Sequence, residues 1–317
     1  MEKTLEYYGQ AQCRGEVSWD ELGLEGNTEV LKINATFLLV SWEYKFQALA
    51  SDGLFVPFTQ GLGYPSPLLR SLSLPAETFS LYLSDNSFSK QKTLPASALL
   101  LGETASHTYG TGTGMRYVGI VGNEGWAAQL EKVGIGNQAK HYGDNMLAVF
   151  DAGISVLLLP PSSFSWLTSA LSTIGNCGLS SSRFVCDCTA FYTLNDYPAL
   201  SLSFPSLSVL LTSRQYFYMV TPTQDGSFCV GLFAQGSEEN MWVLGSTFMR
   251  AYYMEFDQEN ARIGLMEAVK SEILEDNSET LTWYQVLMLV MLCFGLIYMI
   301  IMALKLCRAS DQPGFLA

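Results

Sequence analysis

Positive charge is scarce in this sequence: 17 lysines and arginines stand against 30 aspartates and glutamates, for a formal net charge of -13. Such a surface repels phosphate groups, which excludes nucleic acid and anionic lipid headgroups as main partners. Histidine is rarer still, with His107 and His141 the only two. Each is isolated in a polar stretch with no nucleophile pattern beside it, and both read as surface residues. Metal-ligand pairs are also missing, because Cys186-Asp187-Cys188 has no second Cys/His pair at zinc spacing. The glycines of Tyr109 to Gly114 lack the strand and helix context of a phosphate loop. Neither a metal nor a cofactor is expected. The opening residues, MEKTLEYYGQAQCRGE, have no apolar stretch of the kind a secretory signal needs. Charged residues make up only 15% of the chain against 49% hydrophobic ones, so a large core is available and disorder is not expected.

The longest uncharged apolar run lies near the C-terminus. Leu281 to Leu304 (LTWYQVLMLVMLCFGLIYMIIMAL) is long enough to cross a hydrocarbon core of roughly 30 Å, and a transmembrane helix is expected over 281–304. Trp283 and Tyr284 fall at the interface. Glu267, Glu272, Glu275, Asp276 and Glu279 precede the run, and Lys305 and Arg308 follow it. That asymmetry predicts a cytosolic tail over 305–317 and a lumenal or extracellular globular part, joined by an acidic stalk over 269–280. The reading is of a single-pass membrane protein of the secretory or endolysosomal system. The acceptor pattern Asn34-Ala35-Thr36 and the cysteines suit a lumenal environment. A lumenal protein needs a leader, so its absence predicts natural sequence ahead of Met1.

Between residues 7 and 268, short runs rich in Val, Leu, Ile, Phe and Tyr alternate with Gly, Ser, Pro and Asn clusters, which predicts an all-β protein. Strands are expected at Thr36 to Trp42, Thr78 to Leu83, Tyr117 to Val121, Met146 to Phe150, Val156 to Leu159, Ser206 to Leu211 and Tyr252 to Phe256. One helix is expected over Ser162 to Ile174, capped by Ser162 or Ser163, with Phe164, Leu167 and Leu171 on one face.

Met146 to Pro160 (MLAVFDAGISVLLLP) sets a single aspartate and a glycine turn between two apolar strands. A carboxylate there costs several kcal/mol unless hydrogen-bonded or functional, so Asp151 either caps a tight turn or does chemistry. Met241 to Leu265 (MWVLGSTFMRAYYMEFDQENARIGL) resembles the end of the second lobe of pepsin-like aspartic proteases. There Val243-Leu244-Gly245 corresponds to the strand that threads beside the catalytic loop. Phe248, Tyr252, Tyr253, Phe256, Asp257 and Ile263-Gly264 also fall on the family pattern. The resemblance implies that Asp151-Ala152-Gly153-Ile154-Ser155 is the second catalytic loop, with Asp151 the dyad carboxylate and Gly153 and Ser155 completing it.

The resemblance extends upstream. Tyr8-Gly9-Gln10-Ala11-Gln12 resembles the flap hairpin, with Tyr8 and Gly9 at its tip. Ser51 to Val56 is similar to the first lobe's threading strand, and Phe79 to Leu83 to the strand ending that lobe. Tyr109-Gly110-Thr111-Gly112 reads as a glycine-rich turn. The implied architecture is all-β and bilobal, with a partial first lobe over 1–104 and a second lobe over 105–268. Cys229 is implied to pair with Cys188 or Cys186, and Cys177 with the other; Cys13 is left over.

In that family, two carboxylates roughly 3 Å apart share one proton. One then activates a water while the other protonates the scissile carbonyl. This sequence supplies one such position. Ala152 stands where a Thr or Ser hydroxyl bonds across to the partner loop, Ile154 replaces a hydroxyl and should leave Asp151 less solvated, and Val56 stands at the threading glycine. The chain reads either as a truncated endopeptidase that is inactive alone or as a degenerate pseudoprotease that binds peptides. The second reading accounts better for Ala152 and Val56. A peptide or protein ligand is the expected partner in both.

Overall fold

The structure is a computed structural model describing residues 2–7, 11–25, 30–44, 74, 76–84, 94–122, 125–188, 194–220 and 228–269, with the backbone alone for those up to 44. The expected flap tip at Tyr8-Gly9, the segment Ser51 to Val56, the stalk beyond Val269 and the apolar run 281–304 lie outside these residues. Among the described residues no helix is long and apolar enough to cross a membrane.

Strands dominate, as the short β-branched and aromatic runs predict. Near the start, Glu2–Tyr7 pairs antiparallel with Ala11–Glu25, closing at Tyr7 opposite Ala11. Ala11–Glu25 pairs in turn with Val30–Tyr44, with a register shift between Arg14 and Gly15. The hairpin therefore brackets the residues in which the flap tip is expected.

A five-stranded sheet joins Thr78–Tyr82 to the last described strands, in the order Ala98–Leu101, Thr78–Tyr82, Tyr252–Asp257, Arg262–Ala268, Gly110–Gly119. Its pairings are all antiparallel. One face is apolar: Phe79 stacks on Phe256 with ring centroids 4.5 Å apart, and Trp126 meets both edge-on. The opposite face carries Tyr82, Tyr109 and Tyr253, whose rings contact in sequence.

Gly110 to Gly112 is a correction. Instead of a turn, Ser106–Tyr109 forms one helical turn and the strand Gly110–Gly119 follows directly. A Cβ at Gly110 would run into the Met266 side chain, so the glycine serves close strand packing.

Two four-stranded sheets flank the rest of the core. One runs Ser208–Leu211, Leu200–Ser203, Lys132–Ile135, Gln138–His141; the other runs Cys177–Ser180, Arg183–Asp187, Phe228–Gly231, Phe217–Val220. The expected helix forms over Pro161–Ser172 and buries Phe164, Leu167 and Leu171. Its cap differs from expectation. Pro160 is the N-cap and Pro161 the first helical residue, where a missing N–H costs nothing. Ser162 instead donates its amide to the Glu239 carboxylate at 3.4 Å, and the Ser163 hydroxyl pairs with Tyr142 Oη at 2.8 Å. His107 and His141 are exposed.

Candidate active site

The loop around Asp151 is built by two apolar strands that diverge after it. Leu147–Phe150 buries Ala148, Val149 and Phe150, and Leu157–Leu159 buries Leu157 and Leu159. Between them lies Met241–Leu244, parallel to the first and antiparallel to the second. This third strand is a central one, with Trp242, Val243 and Leu244 all buried. Continuous hydrophobicity rather than alternation is what such a two-sided environment demands.

Chain entry into the loop is fixed by the Phe150 amide donating to Trp126 O at 2.8 Å and the Asp151 amide donating to Leu244 O at 3.2 Å. The turn itself is closed by the Ile154 amide on Asp151 O, at 3.3 Å. The Gly153 amide donates to Asp151 Oδ1 at 2.8 Å, so the carboxylate also caps its own turn. Asp151 is half-buried, and Ala152, Gly153 and Ser155 are exposed. The structural and the chemical reading of this aspartate are therefore compatible: one oxygen orders the loop while the group remains reachable from solvent.

Gly245 is the residue that permits the crossing. A Cβ there would fall well inside van der Waals contact of the Ile154 and Val156 carbonyl oxygens. Beyond it, the Ser246 amide donates to Ile154 O at 2.7 Å. Ser155 O accepts from Ser246 Oγ at 3.2 Å and Thr247 Oγ1 at 2.8 Å. Asp151, Gly153, Ser155, Val243, Leu244 and Gly245 thus meet in one place. Ser246 and Thr247 were not singled out in the sequence. The available signal was a pair of hydroxyls following a threading glycine, where a short helical turn, Ser246–Met249, begins.

The terminal hairpin supports this assembly. The Tyr252 hydroxyl both accepts from the Leu210 amide, at 2.8 Å, and donates to its carbonyl, at 2.7 Å. Gly264 lies between Glu255 and Tyr117 in one cross-strand row, and its lack of a side chain lets Tyr117 Oη reach Glu255 Oε1 at 2.8 Å. Burial, reinforced by that glutamate, pushes the Tyr117 phenol up to about 12. Burial also raises the Asp257 carboxyl, but the Asn260 side-chain and backbone donors and the Arg262 guanidinium outweigh it and hold this group below its ordinary value.

The cysteine alternatives are decided by the sheet. Cys177 bonds Cys186 and Cys188 bonds Cys229. Cys186 faces Cys177 on one neighbouring strand and Cys229 on the other, and its sulfur bonds that of Cys177. No group of three or more metal-ligating side chains is found among the described residues.

Known proteins resemble this chain over most of its length. The chain is similar to renin of Canis lupus familiaris, with 27% identity over 81% of this chain and 62% of the relative. It is 30% identical to cathepsin D of Clupea harengus over 60% of this chain and 46% of the relative. Against pregnancy-associated glycoprotein 2 of Bos taurus the figures are 24%, 83% and 66%. The chain therefore spans less than two thirds of the length of each. The profile of the eukaryotic aspartyl protease family matches residues 4–268, covering the N-terminal strands, the Asp151 loop, its threading strand and the closing hairpin alike, and the chain belongs to that family.

Proposed function

We propose that this chain is a membrane-anchored, pepsin-like endopeptidase relative in which Asp151 is the second carboxylate of an aspartic dyad. Peptide lies across its loop, and the first carboxylate is not among these residues. The observation that carries the reading is the crossing of Val243-Leu244-Gly245 between the two arms of the Asp151 loop, with Gly245 against the Ile154 and Val156 carbonyls. The sequence contains no Asp-Thr-Gly or Asp-Ser-Gly tripeptide. One carboxylate cannot both activate water and protonate the carbonyl in the same step, so the chain alone binds peptides without cleaving them.

A second reading, a pseudoprotease retained for binding, is favoured by Ala152 and Ile154. Neither offers the hydroxyl that the family pattern places beside the carboxylate. In both readings Leu281 to Leu304 spans the membrane, the globular part is lumenal or extracellular, and Lys305 and Arg308 lie on the cytosolic side.

The test is digestion of a peptide library by the purified full chain at acidic pH, with and without pepstatin. No cleavage, with pepstatin binding retained and weakened by Asp151→Asn, is the expected outcome. Pepstatin-sensitive cleavage by the chain alone would overturn the single-carboxylate reading. Loss of pepstatin binding altogether would overturn the peptide-site reading.

A further inference from the structure

Thr247 is a buried hydroxyl, only 2% exposed, on an element otherwise packed with apolar side chains such as Phe248 and Met249. A buried hydroxyl is costly unless bonded, and this one donates to Ser155 O at 2.8 Å. The same carbonyl receives Ser246 Oγ at 3.2 Å, so both of its lone pairs are engaged. Adjacent to it, Ile154 O takes the Ser246 amide at 2.7 Å. The exit of the Asp151 loop is therefore held by three donors from two consecutive residues, while its entry is held by the Asp151 amide on Leu244 O. Both sets of bonds come from one short stretch, Leu244 to Thr247. Within the loop, the Asp151 carboxylate accepts from the Gly153 amide, and Ala152, which is exposed, adds no hydroxyl to that bond.

We infer that Thr247, assisted by Ser246, is the positioning residue of the Asp151 loop. Its hydroxyl fixes the Ile154-Ser155 exit and thereby the direction in which the Asp151 carboxylate faces a bound peptide. The consequence for ligands rests on the function proposed above, whereas the consequence for the loop does not. A hydroxyl-to-methyl change removes the shorter of the two hydroxyl bonds to Ser155 O and leaves the shape of the side chain intact. One lost hydrogen bond to a part-buried carbonyl corresponds to roughly a tenfold shift in a local opening equilibrium.

The experiment is amide hydrogen exchange on the full chain carrying Thr247→Val, Thr247→Ser or Ser246→Ala. In Thr247→Val, the Asp151, Ile154 and Ser246 amides are expected to exchange about tenfold faster, with the Ala148 and Val149 amides unchanged. Thr247→Ser is expected to restore protection, and Ser246→Ala to give a smaller increase at the same amides. A parallel titration reads pepstatin, whose hydroxyl mimics the tetrahedral state, against an unmodified peptide of similar sequence. Thr247→Val is expected to weaken pepstatin about tenfold and the plain peptide little.

Unchanged exchange at the three loop amides, or acceleration spread equally through the core, overturns the positioning role. If Thr247→Val does not fold, Ser246→Ala decides the matter in the same readout. If the unsubstituted chain binds no pepstatin, the functional proposal fails while the exchange data still decide the role of Thr247.

Discussion

A single added methyl group at Gly245 is enough to separate the strands that make the candidate site. With two backbone carbonyl oxygens where its Cβ would sit, neither on a flexible side chain, Gly245→Ala forces a backbone shift in the threading strand or in the Asp151 loop. The expected loss of stability is about 3 kcal/mol, measured by urea unfolding, together with loss of pepstatin binding. Asp257 yields a pH-dependent outcome. Its carboxyl lies below the ordinary value in the folded chain, so its contribution is present above the unfolded pKa and is lost as pH falls through the folded one. Asp257→Asn is therefore expected to lower stability by about 2 kcal/mol near neutral pH. The difference from the parent should disappear in strong acid, as seen in melting curves taken across pH. At this scale the resemblance to the family singled out Asp151 and Gly245, and the residues alone left Asp151 as either a turn cap or a functional carboxylate. Ser246 and Thr247 were not readable in the sequence, because what makes these hydroxyls significant is the Ser155 carbonyl some ninety residues earlier, in contact only after folding.

Elements were legible when their pattern was local. The strand Leu147–Phe150, the helix carrying Phe164, Leu167 and Leu171, and the strand Tyr252–Asp257 follow from apolar runs and periodicity. Two elements were misread for a physical reason. The glycines at 110 to 112 suggested a turn, but Gly110 opens a strand, and a Cβ there would meet the Met266 side chain and the Ser106 carbonyl. The helix start was assigned to serine caps, yet Glu239 from a distant loop takes the Ser162 amide. The disulfides act at the same level. Cys188–Cys229 closes a separation of 41 residues and Cys177–Cys186 one of 9. Chain-entropy arguments then predict that replacing the first pair by serine costs about 4 kcal/mol and the second about 2.5 kcal/mol. Denaturant titration of the two double variants checks both the order and the size of the effect.

For the molecule as a whole, the apolar run at 281–304 carries the prediction about anchoring. Placing arginine at Leu292 and Leu296 puts two charges near the centre of the run, at about 3 kcal/mol each by insertion scales. The unsubstituted chain is expected to stay in membranes through alkaline extraction and the double variant to be released; equal behaviour of the two would rule out a spanning segment. Composition and pattern by themselves determined that this protein is mostly β, acidic and rich in core-forming residues, and the likeness to pepsin-like proteases came from the resemblance of its motifs to that family. Those properties reside in short windows of sequence. Only the tertiary structure decided which cysteines pair, since Cys186 faces two partners in the sheet. It likewise decided what holds the Asp151 loop, because the threading strand and the hydroxyls of Ser246 and Thr247 reach that loop only when residues far apart in the chain are packed into one sheet.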